Sequence, residues 1–270
     1  MGKSSILKKL SFIFGLILCS YPLISGIVQQ QAQKGIVATY QQMIESSSNS
    51  YIEETLIKAI EYNEVLFESF TSLSSDKLNI LSEESYNEIL NMGNGVMGSI
   101  EIPSINVNLP IYHGTSDEVL SAGVGHLNGS SLPIGGINTK SILTAHRGLP
   151  SSKLFTRLDE LLEGDLFFIR VLNETLAYRI NDIQVIEPED VSGLEIEEGK
   201  DLVSLITCTP YGLNTHRLVV TGERTDYEPS IYENIEAKSM SIREYIFLAI
   251  PIIFITIVVG RRIIGARKKA

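Results

Sequence analysis

Apolar residues follow three different patterns along this 270-residue chain. At the two ends they form long runs with few polar interruptions, at residues 10–28 and 245–260. Between residues 29 and 70 they recur at intervals close to the period of an α-helix, with few Gly or Pro. From residue 95 they fall into short β-forming runs separated by Gly, Pro and Asn. The pattern predicts two apolar end segments, an N-terminal helical region and a β-domain.

The two end runs have the features of membrane segments. Lysines precede the first run, and five basic residues follow the second. A membrane helix needs about 20 apolar residues, and basic flanks stay in the cytoplasm. We expect a membrane anchor or signal segment at 1–28, a transmembrane helix at 245–264 and a basic cytoplasmic tail at 265–270. A cleaved signal peptide is the alternative for the first run, and a buried core helix for the second.

The hydropathy pattern of the region between the end runs changes at residue 94. Residues 29–93 predict a helical extension, with a turn at the serine-rich stretch 46–50 and a short helix opened by Ser82. Residues 94–228 contain short β-rich runs, which predict seven or eight strands and a closed barrel. A short helix with its leucines and Phe155 inward is expected at 153–162, and a linker at 229–244. The β-rich runs are 96–102, 108–112, 141–145, 165–171, 176–185, 202–207 and 218–221.

Charge is distributed unevenly along the chain. The whole chain has a net charge of −10, but residues 29–242 hold 13 Lys and Arg against 31 Asp and Glu, a net charge of −18. An acidic body argues against a nucleic-acid partner, because phosphate binding needs a cationic face. It agrees with a body outside the membrane between two basic ends. The acidic stretch 187–198 is expected to be solvated; binding of calcium by it is the alternative.

Two cysteines, Cys19 and Cys208, are present, so the chain has no disulfide framework. Cys208 ends one β-run and Arg217 begins the next, with Pro, Gly and Asn between them. Antiparallel pairing of the two runs would place a thiol nucleophile beside a fixed positive charge. His146 follows the run 141–145 at a strand end, where it can exchange a proton with the thiol. The alternative is a buried, inert thiol.

Three further histidines compete with His146. His216 neighbours Arg217, and alternation along a strand directs adjacent side chains to opposite faces. If Arg217 faces the thiol, His216 therefore faces away. We expect His126 to pack or hydrogen-bond structurally and His113 to lie in a loop.

The sequence around Cys208 resembles the active-site signature of the sortases, the cysteine transpeptidases of Gram-positive cell surfaces. Their pattern is Thr-Leu-x-Thr-Cys followed by Arg about nine residues later; here it is SLITC at 204–208, with Arg217 nine positions on. The sequence CTPYGLNTHR at 208–217 is most similar to that of class C, the pilin-polymerising sortases. Ser204 replaces the first Thr. Upstream similarity includes LPIYHGT at 109–115, GHL at 125–127 and TAHRGLP at 144–150.

The resemblance implies a mostly β fold, an eight-stranded barrel with N-terminal helices and flanking transmembrane helices. It implies a membrane-anchored transpeptidase, outside the cell membrane of a Gram-positive bacterium, that cleaves an LPXTG-like signal between Thr and Gly. The acceptor would be a pilin Lys, the partners would be pilins or other surface proteins, and no cofactor or metal is expected. By resemblance, Cys208 is the nucleophile, His146 the proton donor and later base, and Arg217 the oxyanion and substrate ligand. Possible substrate contacts are Thr207, Thr209 and Ala145, which replaces the usual Gly before His.

One feature of class C is not matched. Class C sortases often carry an N-terminal lid with an Asp-Pro-aromatic triplet over the Cys, whereas the corresponding stretch here is SSDKLN at 74–79. Asp76 and Leu78 are the candidate lid residues. The functional alternatives are a wall-anchoring sortase, a cysteine peptidase that releases its product to water, and a non-enzymatic, membrane-tethered β-domain.

Overall fold

The computed structural model describes residues 3–69, 79–240 and 242–267. Its contacts form two compact units, each described here by itself. One unit contains residues 31–149 and 153–238, and the other contains residues 1–30, 150–152 and 239–270.

Six α-helices lie in the described part of the chain. The turn predicted at 46–50 is confirmed, because the first helix ends at Ser46 and the second begins at Asn49. The short helix predicted after Ser82 is also confirmed, and the Ser82 hydroxyl accepts a hydrogen bond from the Ser85 N–H at 3.2 Å, as an N-cap does. The helices are α1 (Lys3–Ser46), α2 (Asn49–Ser69), α3 (Glu83–Glu88), α4 (Asp117–Ala122), α5 (Pro229–Glu233) and α6 (Ile242–Arg267).

The β-domain is a closed eight-stranded barrel, as the sequence predicts. Its strands follow one another around the barrel in the order β1-β2-β3-β4-β7-β8-β6-β5. The β2–β3 and β4–β7 pairs are parallel, and the other pairs are antiparallel. The strands are β1 (Val96–Ile102), β2 (Val107–His113), β3 (Val124–His126), β4 (Thr139–Thr144), β5 (Leu166–Val171), β6 (Glu174–Ile186), β7 (Asp201–Thr209) and β8 (His216–Thr225).

The barrel interior is filled by alternate residues of its strands. Leu143 of β4, Leu205 of β7 and Val220 of β8 belong to the central apolar cluster and have no exposed surface. Their neighbours in sequence point the other way, because successive side chains of a strand face opposite sides of the sheet. Ser204 and Thr221, for example, bond to each other on the outer face, with their hydroxyls 3.0 Å apart. This alternation fixes which residues at the strand ends face outward.

The N-terminal helices are attached to the barrel by buried hydrogen bonds. The Tyr40 hydroxyl donates to the Met97 carbonyl at 3.1 Å and accepts from the Leu172 N–H at 2.8 Å. The Asn63 side chain bonds both the N–H and the carbonyl of Leu132, at 2.7 and 3.1 Å. The C-terminal part of α1 and the whole of α2 therefore pack as part of the unit that contains the barrel.

Three details of the sequence prediction are wrong. His113, expected in a loop, is the last residue of β2. The strand β3 was not among the predicted runs, because its three residues Val124–His126 carry no apolar run of their own. The helix expected at 153–162 is absent: this segment forms turns and one short 3₁₀ helix, Leu158–Glu160. Leu154 has a φ of +38°, which an α-helix does not allow. Leu154, Phe155, Leu158 and Leu161, the side chains expected to face inward, are nevertheless buried.

Both apolar end segments are helical. Segments of α1 and α6, Leu10–Ser46 and Glu244–Arg261, have mean hydropathies of 2.0 and 1.9 in their most apolar parts and are long enough to cross a membrane. The two helices touch within their unit, where the rings of Phe12 and Phe254 stack with centroids 5.4 Å apart.

Candidate active site

Cys208 and Arg217 face each other across the β7–β8 hairpin. The antiparallel register pairs Cys208 directly with Arg217 and Thr209 with His216. Directly opposed residues point to the same side of a sheet, with Cβ atoms about 4.5–5.5 Å apart. Because Leu205 points inward, Cys208 points outward, and its side chain is half-buried and not in a disulfide. The hairpin therefore places a free thiol beside a guanidinium on the outer face of the barrel.

His146 is brought to the same face by the neighbouring strand. The parallel β4–β7 register pairs Thr144 with Ile206, and the Ala145 N–H extends it by donating to the Ile206 carbonyl at 3.2 Å. Continuing that register by two residues sets His146 beside Cys208. Ala145 belongs to the inner apolar cluster, so His146 points outward. The segment just after β4, the end of β7 and the start of β8 thus carry the imidazole, the thiol and the guanidinium in that order.

The other predicted contact residues hold this edge together. The buried Thr207 hydroxyl donates to the Ala145 carbonyl at 2.8 Å, which fastens β7 to the residue before His146. Thr209 accepts a hydrogen bond from Arg147 at 3.0 Å. Substrate contact by Thr207, Thr209 and Ala145 stays a prediction, and the candidate lid residues Asp76 and Leu78 lie outside the described residues.

The remaining histidines have structural partners away from the thiol. His216 faces the side opposite Arg217, where its Nε2 lies 3.2 Å from a carboxylate oxygen of Glu187. His126 is fully buried and donates from Nε2 to the Ser131 carbonyl at 2.8 Å. Burial, opposed in part by that hydrogen bond, lowers the pKa of His126 to about 4. The neutral ring of His126 therefore serves packing, as the sequence suggested.

Comparison with known proteins identifies the family. The sortase domain model matches residues 100–225. Sortase A of Streptococcus agalactiae is 30% identical over 210 residues, which cover 72% of this chain and 82% of that protein. The chain belongs to the sortase family. Among solved structures, sortase C1 of S. agalactiae is 43% identical with a TM-score of 0.65, and the match covers 72% of this chain and 99% of that one.

Further structural neighbours of this sortase are also class C enzymes. Sortase C of Clostridium perfringens, solved with the C-terminal cell wall sorting motif, is 41% identical with a TM-score of 0.61, and the match covers 72% of this chain and 99% of that one. Streptococcus pneumoniae sortase C, whose structure was described in terms of pilin substrate specificity, is 36% identical with a TM-score of 0.61, and the match covers 72% and 97% of the two chains. The expected class C resemblance is confirmed.

A buried arginine next to His146 was not singled out from the sequence. Arg147 is 5% exposed and forms an ion pair with Asp159 in addition to its bond with Thr209. Its guanidinium carbon lies 6.0 Å from the ring centroid of Tyr211. No hydropathy pattern predicts such a residue, because a lone Arg in a polar loop ordinarily faces solvent. Its position directly after the candidate proton donor was the available signal.

The acidic stretch after β6 is tied to the barrel by lysines. Lys140 of β4 is buried, and its ammonium donates to the Gly193 carbonyl at 2.5 Å and lies 3.4 Å from Glu197. Lys200 also pairs with Glu197 at 2.8 Å. Hydrogen bonding from Lys200, the largest cause, lowers the pKa of Glu197. This carboxylate therefore has cationic partners from the protein itself.

Proposed function

We propose that this sortase is a membrane-anchored cysteine transpeptidase of the pilin-polymerising type. It cleaves an LPXTG-like signal between Thr and Gly and transfers the acyl group to a pilin Lys. Family membership and the class C neighbours support the reaction class. The observation that carries the proposal is the strand register, which pairs Cys208 with Arg217 and, continued two residues beyond Thr144, sets His146 next to Cys208.

In the first half-reaction, the Cys208 sulfur attacks the Thr carbonyl carbon as a thiolate. A carbon–sulfur bond forms, and the carbonyl electrons move to oxygen. Arg217 is always charged and offers several donors, so it stabilises this oxyanion. The carbonyl then reforms, the Thr–Gly bond breaks, and protonated His146 gives its proton to the departing Gly amine. A thioester remains on Cys208.

In the second half-reaction, a Lys amine attacks the thioester carbon. Neutral His146 accepts a proton from the incoming amine as the carbon–nitrogen bond forms. Collapse of the second oxyanion breaks the carbon–sulfur bond and returns the Cys208 thiolate and the protonated imidazole. One peptide bond is exchanged for one isopeptide bond, with no oxidant, metal or cofactor in the balance.

Loss of the thiol tests the nucleophile. We expect the full chain in detergent to gain the mass of the acyl fragment when it is incubated with an LPXTG peptide without an amine acceptor. Cys208→Ala should gain none, because no sulfur is available to form the thioester. Cys19→Ala, which removes the other thiol, should behave like the wild-type chain. Intact-protein mass spectrometry measures the adduct, and an acyl adduct on Cys208→Ala would refute the assignment.

Analysis of the reaction products distinguishes the three possible acyl acceptors, which are a pilin Lys, a peptidoglycan-precursor amine and water. Covalent ladders with a pilin carrying both the signal and an acceptor Lys support pilus polymerisation. Transfer only to a peptidoglycan-precursor amine favours the wall-anchoring alternative, which the 30% identity to a sortase A keeps as the second candidate. Release of the free acid alone indicates a peptidase.

A further inference from the structure

Arg147 joins the two sides of the proposed catalytic centre. It directly follows His146, and its Nη1 donates to the hydroxyl of Thr209, which directly follows Cys208, at 3.0 Å. Its Nη2 is paired with Asp159, in the short 3₁₀ helix Leu158–Glu160. One side chain thus connects the segment that carries the imidazole, the strand that carries the thiol and a third, separate turn.

We propose that Arg147 is a positioning residue that fixes the distance between His146 and Cys208. The inference rests on the proposed function, because it assigns Arg147 to the alignment of that same pair. His146 lies beyond the last residue of β4, so the β4–β7 ladder does not hold it directly. The guanidinium of Arg147, one residue after His146, supplies a contact to β7 beyond the end of the ladder.

The chemistry of this contact requires a guanidinium. Arg presents a planar set of donors that reaches a carboxylate and a hydroxyl at once, whereas Lys is a point charge on a flexible stem. A buried charge is costly unless it is paired. The Nε of Arg147 is buried and has no hydrogen-bond partner among the described residues. A buried donor without a hydrogen-bond partner lowers stability, so its retention is expected where the residue serves the active site.

The surrounding loop is shaped to cover Arg147. Gly148 has a φ of +80°, and a Cβ at this position would lie 3.1 Å from the ring of Tyr211. Glycine therefore permits both the backbone conformation and the close approach of the ring. The ring lies near the guanidinium, where a cation–π contact is favourable. Tyr211 belongs to the loop after Cys208, so the cover also spans both sides of the centre.

Arg147→Met in the full chain, purified in detergent, tests the proposal. We expect kcat for transfer from an LPXTG peptide to an amine to fall about 10- to 100-fold, because a displacement of about 1 Å costs on that order. KM should stay within about threefold, because the contacts of Arg147 are with the protein. Amide hydrogen exchange at residues 145–149 should become at least about tenfold faster, because the segment loses its anchor.

Arg170→Met is the matched control. Arg170 likewise pairs with an acid, Glu101 at 3.2 Å, and lies 5.6 Å from the ring centroid of Tyr232, but it sits on β5. We expect this control to keep the wild-type kcat and the wild-type exchange at 145–149. If Arg147→Met matches the control in either readout, the proposal is overturned.

Two milder variants cover a failure of Arg147→Met to fold. Arg147→Lys keeps the charge without the fork, and Asp159→Asn removes the acid partner. Both should lower kcat with KM unchanged and speed exchange at 145–149, and wild-type values in both would overturn the proposal. An inactive wild-type chain would refute the proposed function, whereas the exchange measurement would still decide whether Arg147 anchors the His146 segment.

Discussion

Arg217 lies at the loop end of the β7–β8 hairpin and has no acid partner among the described residues. Its Nη1 donates to the His216 carbonyl at 3.1 Å and lies 3.5 Å from that of Asn214. Among the described residues, no carboxylate lies within ion-pair distance of its guanidinium. The positive charge is therefore available to a group that lies over Cys208, such as a developing oxyanion.

The fork of Arg217 is tested by Arg217→Lys, which keeps the charge. We expect kcat to fall about 100- to 1,000-fold, the usual cost of removing one oxyanion donor. Steady-state transfer to an amine measures it. Arg224→Lys is the matched control, because Arg224 lies on the same strand and pairs with Asp201 at 3.9 Å, at the far end of β7. A near-normal rate for Arg217→Lys would show that the fork geometry is not needed.

His126 makes stability depend on pH. The folded chain holds this histidine neutral to a pKa of about 4, because burial disfavours the charged ring. The unfolded chain takes up the proton near pH 6.5. Protonation of His126 in the unfolded chain therefore does not reduce the free energy of unfolding above about pH 6.5. As the pH falls from 6.5 towards 4, it lowers the free energy of unfolding by about 3 kcal/mol in total.

We expect urea unfolding to show this loss between pH 6.5 and pH 4. His126→Asn should be less stable at pH 7, because hydrogen bonds from Tyr86 and to Ser131 are lost, but its stability should fall less over the same pH range. An unchanged slope in His126→Asn would exclude His126 as the source.

At the scale of elements, the parts that the sequence predicted are those that carry their own pattern. The strands β1, β5, β7 and β8 span six to ten residues, and each contains a short β-forming run that the sequence shows. The β7–β8 hairpin could be predicted because two β-forming runs, one ending at Cys208 and one beginning at Arg217, are separated by the turn residues Pro, Gly and Asn. Local pattern was sufficient where a strand carries a β-forming run of its own.

The parts that were missed depend on contacts with other segments of the chain. The strand β3 exists because β2 and β4 hydrogen-bond to its two sides. The segment 153–162 has the apolar spacing of a helix, but it forms turns that bury Leu154, Leu158 and Leu161, and Leu154 has a positive φ. Arg147 is buried by the loops around it. Such features follow from tertiary packing, which a single sequence does not display.

On the scale of the whole molecule, the body of the chain is acidic and its two ends are basic. Residues 29–242 carry a net charge of −18, and basic residues follow α6 and begin α1. Basic flanks are retained on the cytoplasmic side. With two apolar helices long enough to span a membrane, this distribution favours both termini inside and the barrel outside. Cys208 would then face the compartment in which surface proteins emerge.

Thiol labelling in intact cells tests this topology. In a Cys19→Ala background, a membrane-impermeant maleimide should label Cys208 from outside, because its side chain is half-exposed on the outer face of the barrel. Lys269→Cys, made in a background that lacks both native cysteines, should be labelled only after the membrane is permeabilised. Gel shift with a polymer-linked maleimide measures both. Labelling of Lys269→Cys in intact cells, or protection of Cys208 until permeabilisation, would contradict the proposed orientation, since the same reagent reports on both sides of the membrane.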